Sequence, residues 1–430
     1  EQVGVHALIE AAGMSGRKLD SIDLAFGLAP RINAAGRLGQ TDLAMELLLC
    51  DRQSQAMELA QQLNELNEQR KALVDHIYEE INAKIARHPE ILQERVILLY
   101  GEGWHHGVIG IAAARLVEEY SKPCVLFSIE EDQARGSARS VEGYSIIAAI
   151  SRCSSLLTRY GGHDQAAGMT VPVEHLREFI DQMLQDAREH FDLMPVDQLK
   201  IDAVVDAEQL NLKTVYGMQQ LRPFGCGNEQ PVVAMPGCRI EAICPLSENR
   251  HLRLKLSYQG KSFSAIYFRM SPDRFPFYIG DTVDVAANLD VNEYNGEKSV
   301  SVKIKDVRLH GVKQDKLVVG RQYYEKYCRH EPLEEKIREY ICPQREDVAG
   351  LYRFLRQCGG FAFGYDMLWC RLRGINYCKM RICIDVMQEL GLIERARLSS
   401  SGEVALRLPD KVVKTQLDQS RILRQLKVGE

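Results

Sequence analysis

Apolar residues recur along this chain in three different patterns. Between residues 51 and 87, Leu59, Leu63, Leu66, Leu73 and Ile77 fall at three- and four-residue steps or their multiples. The intervening positions are Gln, Glu, Asn and Lys. That period predicts one long amphipathic helix, stopped at His88-Pro89, with the dimensions of a strut between domains. Ahead of it, Val5, Leu8, Ile9 and Ala12 mark one face of a first helix. Residues 94–192 alternate short apolar runs with helical ones: strands at Val96-Ile97-Leu98-Leu99 and Pro123 to Phe127, helices at Val108–Tyr120, Ile146–Leu157 and Leu176–Ala187. This order predicts an α/β domain built on one sheet. Residues 197–309 change to period two, in six strand-like pieces beginning near Lys200, Val232, Leu252, Phe263, Val283 and Val300. One short helix lies between the first two, and a small β-barrel of OB type is expected. In residues 311–430 three helices (Leu333–Ile341, Val348–Leu355, Lys379–Leu390) precede a polar-tipped hairpin, Leu392–Arg397 with Val404–Leu408. A basic amphipathic helix follows at about Thr415–Leu426, and the order predicts a winged-helix-like module.

The fold class is therefore α/β multidomain, with boundaries at 1–50, 51–90, 91–195, 196–310 and 311–430. Composition changes this picture little. No apolar run is long enough to span a bilayer. The twelve cysteines contain no Cys-x-x-Cys pair and sit mostly in apolar surroundings. They read as reduced thiols of a cytoplasmic protein, with no structural zinc. Charge is more informative by region. Residues 311–430 hold 22 Lys/Arg against 16 Asp/Glu, a net +6, whereas residues 1–310 hold 32 against 43, a net −11. A basic tail on an acidic body fits a nucleic-acid contact at the C-terminus.

Four stretches carry candidate chemistry. Leu28-Ala29-Pro30-Arg31-Ile32-Asn33-Ala34-Ala35-Gly36-Arg37-Leu38-Gly39, with its proline and two glycines, reads as a loop or bent connection. Its Arg31, Asn33 and Arg37 fit either phosphate or a pair of structural arginines bonded to backbone carbonyls. On the strut, Asn67 and Arg70 lie one turn apart; they could face a cleft, but a solvated helix face is the preferred reading. Trp104-His105-His106-Gly107-Val108-Ile109-Gly110 opens a helix whose N-terminus favours anions, and its adjacent histidines point apart rather than towards one metal. In Arg135-Gly136-Ser137-Ala138-Arg139, Ser137 and Arg139 project the same way from an extended segment. They fit a terminal phosphate or an exposed edge strand with a solvated arginine. Finally, Gly161-Gly162-His163-Asp164-Gln165-Ala166-Ala167-Gly168 puts two glycines in a tight turn beside a histidine. An oxyanion cradle and a glycine-rich turn with a satisfied histidine both fit. In the barrel, Arg250, His251, Arg253, Lys255, Tyr267, Phe268, Arg269, Tyr294 and Lys298 are the candidates for a basic groove with aromatic platforms. In the last module Lys379 and Arg381, on the helix before the hairpin, leave DNA contact open.

The Gly-Gly-His-x-x-Ala-Ala-Gly pattern resembles the signature of the DHH-associated domain, found in DHH phosphoesterases and in alanyl-tRNA synthetases. Ala-Pro-Arg-Ile-Asn-Ala-Ala-Gly-Arg, Trp-x-x-Gly-Val-Ile-Gly and Pro223-Phe224-Gly225-Cys226-Gly227-Asn228 each resemble segments of the bacterial RecJ exonucleases. Proline follows the last of these one residue later than is usual there, at Pro231. The resemblance covers residues 28 to about 309. It implies the end of a DHH domain, a connecting helix, a DHH-associated domain and an OB domain. The implied activity is 5′-3′ exonuclease action on single-stranded DNA in repair and recombination, by two-metal hydrolysis with Mn²⁺ or Mg²⁺. Arg31, Asn33 and Arg37 would then lie near the scissile phosphate, and Ser137 and Arg139 would hold the 5′-phosphate. Gly161, Gly162, His163 and Gly168 would bind the backbone opposite the metals, with His163, Arg31 and Asn33 acting in catalysis. The expected partners are single-stranded DNA and a single-strand-binding protein or helicase, with the chain itself a monomer. No Asp-His-His or Asp-His-Asp occurs, and Asp75-His76 and His163-Asp164 lack flanking ligands. No metal ligand is assigned, and the chain is expected to be the C-terminal portion of a nuclease, inactive alone. A non-catalytic single-strand-binding protein and a module related to alanyl-tRNA editing are the alternatives.

Overall fold

The strut is present as a 35-residue helix, α4 (Gln53–Arg87), which at 1.5 Å per residue is about 50 Å long. In the computed structural model, residues 2–16, 18–191, 198–372, 374–397, 404–410 and 416–428 are described. The chain divides into two compact units: residues up to 198 with Pro223–Asn228, and the remainder. In the first, α1 (Val3–Ala11), α2 (Ala29–Arg37) and α3 (Thr41–Leu49) pack on the first half of α4. Ala56, Leu59, Ala60, Leu63 and Leu66 are the strut's share of that core. Residues 28–37, expected as a loop, are helical. A π-helical turn, Asp23–Leu28, runs directly into α2. Pro30 sits in the first turn of α2, where its missing N–H would have had no intrahelical partner.

The second half of α4 carries a sheet domain. Its elements are β1 (Ile97–Glu102), α5 (His106–Tyr120), β2 (Cys124–Glu130), β3 (Gln133–Arg139), α6 (Ile146–Arg152), β4 (Arg159–His163), β5 (Ala166–Pro172) and α7 (Val173–His190). The strand order is β1-β2-β3-β5-β4. Only β1 and β2, joined through α5, are parallel. One sheet face, with Ala134, Ala138, Ala167 and Val171, is sealed by α6 and α7. On the other, Ile97, Leu99, Cys124 and Leu126 lie under α5 and α4. Two expectations change here. Ser137 and Arg139 are on a central strand, not an edge. The glycine-rich stretch is not a turn but a hairpin, β4–β5, whose turn is only Asp164-Gln165.

The second unit begins with β6 (Ala203–Val204) and α8 (Leu212–Gln219) and then closes a five-stranded barrel. Its strands are β7 (Val233–Leu246), β8 (His251–Tyr258), β9 (Lys261–Tyr267), β10 (Thr282–Tyr294) and β11 (Glu297–Leu309). The order β10-β11-β9-β8-β7, closed by β10 against β7 and with β9 and β11 parallel, is that of an OB barrel. Leu252, Leu254 and Leu256 point inward from β8 while Arg253 and Lys255 alternate outward.

The same unit holds α9 (Gln314–Cys328), α10 (Glu335–Ile341), α11 (Arg345–Cys358), α12 (Gly364–Arg371), α13 (Tyr377–Glu389), β12 (Glu394–Arg397), β13 (Val404–Arg407) and α14 (Arg421–Val428). From α11 onward the order is that of a winged helix, with the segment at Phe361 bridging to Leu406 of β13. The polar tip Ser399-Ser400-Ser401-Gly402 and Thr415 lie outside the described residues. The helix before the hairpin does not face outward. From Tyr377 to Met387 no residue of α13 is exposed. Lys379 pairs with Asp347 at 3.5 Å. The Arg381 guanidinium lies 3.6 Å from the Tyr365 ring centroid and 4.1 Å from that of Tyr324. Both cations are absorbed by the module's own packing, so α13 is a core helix and not a surface for DNA.

Arg371 fastens this module to the barrel. It donates to both oxygens of Asp281 (2.9 and 2.6 Å) and to the Pro276 carbonyl (3.2 Å), and its guanidinium sits 4.7 Å from the Tyr278 ring centroid. Burial opposes charge on Asp281, but hydrogen bonds from Arg371 and the Tyr278 N–H, with the Arg371 charge, hold its pKa below the ordinary value. A carboxyl depressed on folding stabilises above its unfolded pKa, and that stability is lost as pH falls through the folded value. Arg371→Ala is expected to cost about 1.5–3 kcal/mol at pH 7. The difference from wild type should shrink as pH drops below about 4. Thermal melts of both proteins across pH 3–7 check this.

Candidate nucleic-acid interface

The site arises where the helical cover of the sheet ends. α5 lies over β1, β2 and β3, and so close to β3 that a methyl group at Gly110 would fall 2.6 Å from Ser137 Oγ and 3.0 Å from Arg139 Nη2. Beyond β3, the described helices that pack on β5 and β4 are α6 and α7, and they lie on the opposite face. Strand alternation places residues 135, 137 and 139 of β3 on this face, and the pairing register aligns them with their neighbours. One row is Arg139–Ala166–His163, the next Ser137–Gly168–Gly161, the third Arg135–Thr170–Arg159. The middle row has no side chain beyond a serine hydroxyl. A methyl group added at Gly161 would meet nothing within 4 Å, and one at Gly168 only the Gly136 carbonyl at 3.9 Å. The result is an open cleft of about 560 Å³ with His106, Arg135, Ser137, Arg159, Gly161 and Gly168 in its lining.

The hairpin that forms half the shelf is tied down at its tip. Asp164 accepts from Ser145 Oγ, and its carbonyl accepts from the Ile146 N–H. The Gln165 carbonyl accepts from the Ser140 N–H. The Gln165 N–H donates to His163 Nδ1 at 3.3 Å. A neutral ring whose Nδ1 accepts carries its proton on Nε2, so exposed His163 presents a donor. The histidine is thus held by the turn and still has its outer nitrogen to offer.

Cations converge on the Arg139 end. Arg139 Nη1 bonds the Ala138 carbonyl (2.7 Å) and reaches Ser137 Oγ at 3.4 Å. Arg37, at the end of α2, donates to the Gly107 carbonyl at 3.0 Å. A methyl group at Gly107 would lie 2.1 Å from the Arg37 carbonyl oxygen, so α2 is seated directly on the start of α5. Burial, and after it the Arg37 charge, pushes the Arg139 pKa down; the same two causes push down Arg70, against weaker help from Glu68 and Asp75. Arg139 and Arg70, each kept charged against burial and against Arg37, favour an anion at this end.

Helical phase sorts the remaining candidates. Asn33 and Arg37, four apart on α2, share a face, whereas Arg31 turns towards the strut. There its Nε donates to Asn64 (2.9 Å) and its Nη1 to the Gly27 carbonyl (2.6 Å). The structure therefore does not gather Arg31 with the others. Asn67 and Arg70 do not form the solvated face that their spacing predicts. Asn67 is buried, and its Oδ1 accepts from Arg70 Nε (3.2 Å) and Nη2 (3.0 Å), which aims that guanidinium. Arg135 was legible in principle, since Arg-x-Ser-x-Arg is one face of a strand.

On the barrel, Arg253 and Lys255 are exposed on β8, with Lys255 3.2 Å from Glu241. Arg250 lies in the β7–β8 turn, its Nε bonded to the Ser247 carbonyl at 3.1 Å. The Arg269 N–H donates to His251 Nδ1 (2.9 Å), and the His251 ring sits 5.3 Å from that of Phe268. Tyr267 is different: it packs against the barrel core beside Phe275, and burial, with Asp306, raises its phenol to about 12. Phe268, half-exposed, is the aromatic that faces solvent at this end. Lys298 pairs with Glu293 at 3.7 Å, and the Tyr294 side chain lies outside what is described.

Among the described residues, no three His, Cys, Asp or Glu side chains are placed to share a metal ion. His105 Nδ1 accepts from the Gly107 N–H, and His106 Nδ1 pairs with Glu130 at 2.8 Å. These residues do not fit the two divalent ions implied by the resemblance. The twelve cysteines are free. No described helix is long and apolar enough to cross a membrane.

Comparison with known proteins places these features in a family setting. Residues 93–189 match the DHHA1 domain and residues 201–306 the RecJ OB domain. The chain is 31% identical over 306 residues to the single-stranded-DNA-specific exonuclease RecJ of Thermus thermophilus, covering 71% of this chain and 42% of that protein. It is 28% identical over 311 residues to the RecJ of Bacillus subtilis (71% and 39%) and 28% over 315 residues to that of Escherichia coli (71% and 54%). The chain thus spans about half the length of these relatives, or less. The crystal structure of the Thermus thermophilus RecJ in complex with Mg²⁺ superimposes with a TM-score of 0.61 at 28% identity, covering 73% of this chain and 47% of that one. The Mn²⁺ complex of the same protein gives the same score, covering 75% and 48%. Residues 311–430 lie outside both domain matches.

Proposed function

We propose that this chain, which carries the DHHA1 and OB domains of the RecJ exonucleases, is the substrate-gripping part of a nuclease that degrades single-stranded DNA from its 5′ end. The observation that carries this is the uncovered half-face of the sheet, where Arg139, Ser137 and His163 stand in register around a glycine shelf. A 5′-terminal phosphate fits the Arg139 end. It is compact, carries close to two charges, and is met by Ser137 Oγ, the Arg139 guanidinium and the nearby Arg37 and Arg70. A following phosphodiester lies over Gly161 and Gly168, where the absence of side chains lets a sugar-phosphate backbone approach the sheet. The outer nitrogen of His163 donates to the bound strand. Arg253, Lys255, Arg250 and Phe268 serve the barrel in the manner of OB domains, by phosphate contact and base stacking on the face of the second and third strands. Relatives of this family are described with Mg²⁺ and Mn²⁺. The described residues hold substrate, and no three of their His, Cys, Asp or Glu side chains are placed to share a metal ion for the metal-dependent step.

Two outcomes follow for the isolated chain. It should bind single-stranded DNA more tightly than duplex, and the affinity should fall as salt rises, because phosphate contacts release counter-ions. It should not release mononucleotides from 5′-phosphorylated single strands with Mn²⁺ or Mg²⁺ present. Fluorescence anisotropy against salt and a chelator-controlled nuclease assay measure both. Equal, salt-independent binding of single and double strands would remove the nucleic-acid assignment. Chelator-sensitive cleavage would show a metal centre within this chain.

A further inference from the structure

We infer a second phosphate subsite on the same sheet face, formed by Arg135 and Arg159 across Thr170, that holds an internal phosphodiester of the strand whose 5′ end sits at Arg139. The inference rests on the shelf being a single-strand site. Its own support is the third register row. Arg135 pairs with Thr170, and Arg159 pairs with the same Thr170 from the other side. Neighbouring strands are about 4.8 Å apart, so the two arginine backbones stand about 10 Å apart, a gap that two guanidiniums close over one phosphodiester. Arg159 is oriented through Nε alone, which donates to Thr170 Oγ1 at 3.2 Å, and its Nη groups remain for a ligand. Arg135 and Arg159 are exposed and both line the cleft, while Thr170 beneath them is buried.

The counter-charge at this end is movable. Glu130 lies 3.5 Å from Arg135 Nε and 2.8 Å from His106 Nδ1. When a phosphodiester takes Arg135, Glu130 keeps its hydrogen bond with His106. Arg139 lies four positions after Arg135 along β3, and His163 four positions after Arg159 along β4. At about 3.3 Å per residue the two cationic ends are about 13 Å apart. The glycine row lies between them. A strand anchored by its terminal phosphate at one end therefore runs along β3 and β4 towards the other. Its polarity is fixed by which end carries the deeper, more crowded arginines.

The test is equilibrium binding of the purified chain to 5′-phosphorylated deoxyoligonucleotides of one to four residues. It compares wild type, Arg135→Gln/Arg159→Gln, Arg159→Gln alone and, as a reference, Arg139→Ala. Thermal melts establish that each variant is folded. Wild type should gain affinity as the ligand lengthens from one residue to three or four. The double variant should bind the mononucleotide as wild type does and lose about tenfold of that gain. Arg159→Gln should lose part of it, and Arg139→Ala should lose affinity at every length. A single neutral methylphosphonate at the internal linkage that reaches the subsite should bring wild type down to the double variant and leave the variant unmoved. Full retention of the gain by the double variant would overturn the subsite, and so would an equal loss on the mononucleotide. A wild-type chain that binds none of these ligands would instead remove the single-strand reading of the shelf, and the subsite with it.

Discussion

Gly162→Ala is expected to unfold the β4–β5 hairpin, whereas Gly161→Ala is expected to leave the fold intact and damage only the site. The two glycines are adjacent, and their surroundings are opposite. Gly162 has φ +152°, a value side-chain-bearing residues rarely adopt. A methyl group there would also lie 2.3 Å from the Ala166 carbonyl oxygen and 2.5 Å from the Ala167 Cα. The obstacle is backbone of the paired strand, which cannot swing aside as a side chain would. Strain of roughly 1–3 kcal/mol from the dihedral alone, with the collision added, puts the cost at about 3 kcal/mol or more. The hairpin tip, and with it His163, would be lost. Gly161 has open space where its methyl group would go. The substitution should not move the melting temperature, yet the methyl group would stand on the shelf where the phosphodiester approaches. Single-strand affinity should fall by about tenfold. Thermal unfolding and DNA binding of both variants decide the matter. A Gly161→Ala protein that binds as wild type would mean that no ligand approaches this row.

His163→Ala and Arg139→Ala are expected to fail in different ways once the chain is assayed within a complete nuclease. A long strand is held at many points, so loss of the one donor at His163 Nε2 costs little affinity. In the proposed role, the same donor would act where negative charge builds on the reacting phosphate. Its removal should slow turnover by about 10²–10³ while binding changes little. In the proposed role, Arg139 would grip the terminal phosphate before and during reaction. Arg139→Ala should raise KM, weaken binding of 5′-phosphorylated strands by about 10–100-fold, and erase the preference for phosphorylated over unphosphorylated ends. Steady-state kinetics on both substrates separate the two roles. A folded His163→Ala enzyme with wild-type turnover would reduce that histidine to its bond with the Gln165 N–H.

Much of the fold was legible because it is written locally. The strut announced itself through Leu59, Leu63, Leu66 and Ile77, and the β8 strand through the alternation of Leu252, Leu254 and Leu256 with Arg253 and Lys255. The misreadings share a cause. Pro30 and Gly36 suggested a loop, but a proline in the first turn is compatible with a helix, and what precedes it is a π-helical turn that no periodicity marks. Two glycines before a histidine suggested a turn, and whether they lie in a turn or a strand depends on β5, which pairs with them. Tyr267 and Phe268 are adjacent, so only the barrel's register decides which packs inward. Asn67 is buried although its helix face is polar, because partners distant in sequence cover it. Lys379 and Arg381 sit on a helix that five others surround. The candidate residues were found one by one in the sequence. Their assembly into three rows across β3, β5 and β4 is a property of strand pairing and was not visible there.

The most direct test of the account is a crystal structure of this chain with a 5′-phosphorylated tetranucleotide. The terminal phosphate should lie within hydrogen-bond distance of Ser137 Oγ and the Arg139 guanidinium, with the next linkage over Gly161 and Gly168 and His163 Nε2 turned towards the strand. An oligonucleotide bound only on the barrel, with the β3–β5–β4 face bare at saturating ligand, would contradict it.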